Sequence, residues 1–103
     1  MAKGLVNLAA PIEIIAERVA IQYGKTVEQL QSKRRTEDLV YPRQLAMSLC
    51  YEAGHSYRAI MEYFNRCIGS MTYTNNQVNN LCSVYEKLQR DRITIARELG
   101  INV

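Results

Sequence analysis

The sequence predicts an all-α protein, a compact bundle of five to six helices that contains a helix-turn-helix. Apolar residues recur at three- and four-residue steps in most segments, and capping residues and glycines punctuate those segments. No stretch alternates apolar with polar residues as a half-buried strand would. The 103 residues make one domain, 1–103, with a core at about 11–90 and no internal repeat.

Pro11 suits the first turn of a helix, where its missing N–H would have no partner anyway. Ile12, Ile15, Ala16, Val19 and Tyr23 then share one face, and Gly24 closes the helix. Thr26 with Gln29 forms a capping box for a short second helix, anchored by Val27 and Leu30 and ending near Ser32. Lys33 to Tyr41 has no helical period and reads as a loop, the greater part of a basic segment at 33–43. Pro42 restarts a helix whose buried stripe is Leu45, Ala46, Leu49, Cys50 and Ala53, with Gly54 as its end. Ser56 caps a fourth helix that buries Ala59, Ile60, Tyr63 and Phe64. Asn65 to Thr72, with Gly69 inside it, reads as a turn or loop. Thr74 opens a fifth helix over about 74–90, with Gln77 at the capping-box position and a stripe of Val78, Leu81, Cys82, Tyr85 and Leu88. Ile95, Ala96 and Leu99 before Gly100 mark a last short helix between Asp91 and Val103.

With 48% hydrophobic and 22% charged residues the composition is that of a globule, not a disordered tail. No apolar run reaches the ~18–20 residues that span a bilayer, and the first ten residues lack a secretory apolar segment. The expectation is a cytoplasmic, nucleoid-associated protein with no membrane partner. Cys50, Cys67 and Cys82 are odd in number and widely spaced, which points to reduced thiols, with Cys50 and Cys82 in the core. His55 is the one histidine and sits at a helix joint, a capping or packing position. No metal-ligand spacing and no glycine-rich phosphate loop is present, so the sequence predicts no enzyme, no metal, no cofactor and no small-molecule substrate.

The net charge of +3 is mildly basic, compatible with a polyanionic partner without proving one. Lys33, Arg34 and Arg35 form the densest run, followed by Arg43, although Glu37 and Asp38 interrupt it. With Arg58, and Lys25 nearby, they are candidate contacts to a phosphate backbone, and an ordinary solvated loop is the plainer alternative. The fifth helix carries Asn75, Asn76, Gln77, Asn79 and Asn80 beside Thr74. Asparagine is a mediocre helix former, so stability alone does not explain this cluster. Asparagine and glutamine pair bidentately with the N6 and N7 edge of adenine, and the start of a recognition helix usually reaches the bases. Thr74, Asn75, Asn76, Gln77, Asn79 and Asn80 are therefore the candidate base-reading set; solvated amides behind a simple cap fit the spacing equally well.

Ser32-Lys33-Arg34-Arg35, followed by Tyr41-Pro42-Arg43-Gln44-Leu45-Ala46-Met47, resembles the C-terminal DNA-binding domain of the bacterial replication initiator DnaA. That family has a basic loop and an Arg-Pro-Arg-Gln-x-Ala-Met helix start. The resemblance runs from about Ile12 to Leu88 and takes in Val19-Ala20, Val27, Leu30, His55-Ser56, Ile60, Phe64, Val78 and Cys82. It implies a tryptophan-repressor-like helix-turn-helix on double-stranded DNA, with the recognition helix in the major groove and the basic loop toward the minor groove. Thr74-Asn75-Asn76-Gln77-Val78 stands where the family has Asp-His-Thr-Thr/Ser-Val, which implies a different target sequence. Tyr41 replaces an arginine, Glu37 and Asp38 enter the basic loop, and the turn through Arg66 to Met71 is longer. Without a nucleotide-binding domain the chain is expected to be a free-standing replication or transcription accessory factor, or an excised domain. A protein-interaction module that keeps the fold but has lost specific DNA binding is the alternative, with Tyr51, Tyr57, Tyr73 and Tyr85 as its aromatic patch. A homodimer through Ile93, Ile95, Leu99, Ile101 and Val103 is a further possibility.

Overall fold

In the computed structural model, which describes residues 10–34, 36–66 and 71–102, the apolar periodicity resolves into helices with no strand among the described residues. They are α1 (Ile12–Gln22), α2 (Val27–Gln31), α3 (Glu37–Glu52), α4 (Tyr57–Phe64), α5 (Met71–Val84) and α6 (Glu86–Leu99). Pro11 stands at the N-cap of α1, and the chain leaves that helix through Gly24 at φ +67°, which a side chain would resist. The Thr26 hydroxyl accepts from the Gln29 N–H at 3.1 Å while the Thr26 N–H donates to Gln29 Oε1 at 2.9 Å, so the expected capping box starts α2. Ser56 caps α4 by accepting from the Ala59 N–H at 3.2 Å. Asn65 ends α4 in the left-handed region, at φ 57°.

Three boundaries differ from expectation. The loop expected at Lys33 to Tyr41 is half helix, because α3 starts at Glu37 and carries Pro42 inside it. Glu37 and Asp38 favour that start by placing negative charge against the positive end of the helix. Leu39, Pro42 and Arg43 extend the buried stripe back to the first turn. Helix α5 begins at Met71, three residues before the expected cap at Thr74. It stops at Val84, since Tyr85 turns to an extended conformation (φ −109°, ψ 109°), and Glu86 opens a separate helix of 14 residues. One helix expected over about 74–90 and a short one after it are thus two of equal length.

Helix α3 is the hub, packed against α1, α2, α4 and α5, while α6 lies on α1 and α5. Leu45 to Cys50 are six consecutive buried residues, the mark of a helix covered on every side. Phe64, Ile60, Leu30, Val19, Ile15 and Val78 close around it. Cys50 and Cys82 are buried, as expected; Cys67 lies outside the described residues. Burial pushes the Cys50 thiol well above the usual thiol range. The last helix docks through one carboxylate: Asp91 accepts from Tyr23 Oη at 2.9 Å and Gln22 Nε2 at 3.2 Å at the end of α1, and from Lys87 Nζ of its own helix at 3.0 Å. Arg18 adds an ion pair to Glu98. Ile95 and Ile101, residues of the proposed dimer face, are in the domain's own core, and Val103 lies outside the described residues.

Candidate nucleic-acid interface

Helix α2 has five residues, so most of its carbonyls have no partner within the helix. A cation at its C-terminus answers both that need and the helix dipole. Arg43 is that cation. It reaches across from α3, donating Nε to Leu30 O at 2.8 Å and Nη2 to Gln29 O at 3.2 Å and Ser32 O at 3.1 Å. Only 4% of Arg43 is exposed. The sequence cast it as a phosphate contact; the fold makes it an internal clamp. A second guanidinium arrives at the same carbonyl from beyond α4, with Arg66 Nη2 donating to Ser32 O at 2.8 Å. Asn65 Nδ2 bonds Gln31 O at 3.1 Å, and Gln31 Nε2 bonds Tyr63 O at 2.9 Å. These contacts hold the root of the basic loop against the C-terminal end of α4 and the two residues after it.

Lys33 and Arg34 follow directly on the clamped Ser32 and are exposed. Their side chains make no hydrogen bond or ion pair among the described residues. Arg35 lies outside the described residues. Lys25 is paired with Asp38 at 2.7 Å, which keeps both charges off the loop and holds the Asp38 carboxyl down at about 2. Arg58 is exposed at the opposite end of α4 from Asn65, about 10 Å along the helix, and no hydrogen bond or ion pair joins it to the loop among the described residues.

Helix α5 divides cleanly. Met71, Thr74, Val78 and Cys82 are its buried stripe, so Thr74, at 3% exposure, is turned into the core and away from any reading surface. Thr72, Asn76, Asn79, Asn80 and Ser83 are exposed and fall on the opposite face. Asn75 and Gln77 are half-buried on its flanks, and Asn75 Oδ1 is shut from solvent with no partner among the described residues. Not one of the 14 residues is charged. Arg92 of α6 meets this face, donating Nη1 to Asn79 Oδ1 at 2.8 Å. Sequence reasoning missed both Arg66 and Arg92. The long turn hid the first, and the unmarked break at Tyr85 hid the second.

The other expectations fall elsewhere. His55 Nε2 lies 2.7 Å from Ala10 O, a packing contact at the α1 start. Tyr51 and Tyr57 pair at 5.3 Å between ring centroids and are both exposed, as are Tyr73 and Tyr85. Among the described residues no three His, Cys, Asp or Glu side chains gather as metal ligands would, and no helix is long and apolar enough to cross a membrane.

A family model described as the bacterial dnaA protein helix-turn-helix matches residues 12–78. The chromosomal replication initiator protein DnaA of Methylobacillus flagellatus is 33% identical over 91 residues, covering 87% of this chain and 18% of that protein. The proteins of the same name from Streptococcus equi subsp. zooepidemicus and Streptococcus pyogenes serotype M1 are each 32% identical over 91 residues, covering 86% of this chain and 20% of theirs. The chain therefore spans about a fifth of the length of these curated relatives. The family match ends inside α5, so Asn79, Asn80 and Arg92 lie beyond it.

Proposed function

The chain belongs to the bacterial DnaA helix-turn-helix family, and from that premise we propose that it binds double-stranded DNA. In this reading the outward face of α5 enters the major groove, and Lys33, Arg34 and Arg35 hold the sugar-phosphate backbone. The observation that carries it is the convergence of Arg43 and Arg66 on Ser32 O. Two segments far apart in sequence, the root of the basic loop and the residue pair just past α4, are locked together, which suits a surface that must meet one duplex at two places. Asn76, Asn79 and Asn80 are the exposed base-reading candidates, with Gln77 and Asn75 at the edge. Because Asn75-Asn76-Gln77 replaces the family's polar reading residues, the target differs from the initiator's own box. The role is that of a replication or transcription accessory factor.

Selection from a randomised duplex pool at two salt concentrations tests this. Enrichment of one motif is the expected outcome. Salt-sensitive retention without a motif would mean that the phosphate contacts act alone. The exposed tyrosines favour a second reading, a protein-interaction module, and absence of retention at low salt would replace the first reading with it.

A further inference from the structure

A recognition helix usually borrows some of its attraction from its own cations, and α5 has none. The charge beside its outward face comes from the next helix, through the 2.8 Å bond from Arg92 Nη1 to Asn79 Oδ1. Arg92 is not neutralised on its own helix. Its neighbours three and four residues away are Leu88, Gln89, Ile95 and Ala96, whereas Lys87 and Arg90 are paired with Asp91 and Glu86. Arginine donates from every nitrogen and accepts at none, so the bond settles which way the Asn79 amide faces. Its oxygen is committed to the guanidinium, and Nδ2 has no partner among the described residues.

Resting on the DNA-binding reading above, we infer that Asn79 and Arg92 form one donor-only reading unit for guanine, so that the reading surface extends from α5 onto α6. Bidentate reading of adenine uses an amide's oxygen and nitrogen together, and here the oxygen already faces a cation. Arg92 Nε is shut from solvent, so what the pair offers outward is N–H alone, from Asn79 Nδ2 and the terminal nitrogens of Arg92. In the major groove guanine presents two adjacent acceptors, O6 and N7, which is the complement of such a pair. Asn76 and Asn80 carry no such bond among the described residues and keep both halves of their amides for adenine.

The experiment repeats the pool selection with the wild-type chain, Arg92→Met and Asn79→Ala. It then measures affinity for the winning duplex and for a copy carrying 7-deazaguanine at the implicated position. Thermal melts show whether each variant is folded. The wild type is expected to select a guanine that both variants cease to require, and to lose about 10-fold in affinity on 7-deazaguanine. Arg92→Met is expected to be indifferent to that change. A residue that merely steadies α6 would not move one base preference. Retention of the guanine by Arg92→Met overturns the inference. So does a uniform loss over all duplexes with a shallower salt slope, the behaviour of a phosphate contact. If the wild type is retained by no duplex at low salt, the DNA-binding reading itself falls; if it selects a motif without guanine, only the reading unit falls.

Discussion

Arg43 shows how far a residue's type can mislead about its task. In the sequence it is one more cation after a basic run; in the fold its guanidinium closes the end of α2 on three main-chain carbonyls. The signal was present but indirect, since so short a helix leaves carbonyls that only a neighbour can serve. Arg43→Ala should cost about 2–4 kcal/mol in urea denaturation, because buried carbonyls lose a charged donor. Arg43→Lys should recover only part of it, a point charge being unable to span the same three acceptors. Cys50 is the opposite case, legible from its place on an apolar stripe. Since the thiolate is the reactive form, and burial raises this thiol, Cys50 should resist alkylation at pH 8 until denaturant is added. Peptide-resolved mass spectrometry checks this independently of the other two cysteines.

At the level of elements, explicit chemical signals were read correctly and silent ones were not. Thr26 and Ser56 each cap the helix assigned to them. Pro42 invited a helix start because that is where proline is usually tolerated, yet here the acidic pair at Glu37 and Asp38 and the buried Leu39 outweigh it. The break at Tyr85 has neither glycine nor proline to announce it. The start of α3 also carries a pH dependence. Asp38 titrates at about 2 beside Lys25, below its ordinary 3.8, so between those values the unfolded chain binds more protons than the folded one. Stability is therefore held above about pH 4 and falls as the pH drops toward 2. The melting temperature of Asp38→Asn should lie below the wild type at pH 6, with the two curves converging near pH 2. The offset is small because the carboxyl is exposed.

For the whole molecule, the all-α class follows from periodicity, while the central place of α3 and the arrangement of the candidate interface do not. Composition could point to Lys33, Arg34 and the amides of α5, but only the fold places Thr74 inward and brings Arg66 and Arg92 into play. Lys33→Ala and Arg34→Ala should weaken binding to all duplexes alike, each lowering the slope of log K against log salt by about 1. Fluorescence anisotropy on matched and scrambled duplexes at several salt concentrations measures both effects, and a change confined to one sequence would contradict a backbone role.

The division of α5 into a buried stripe and an uncharged outer one has an engineering consequence. Residues 71, 74, 78 and 82 hold the helix in place, and positions 76, 79 and 80 contribute nothing to the core. A library randomised at the outer three should stay folded while its preferred sequences diverge. The domain is then a chassis, whose address can be rewritten without rebuilding what carries it.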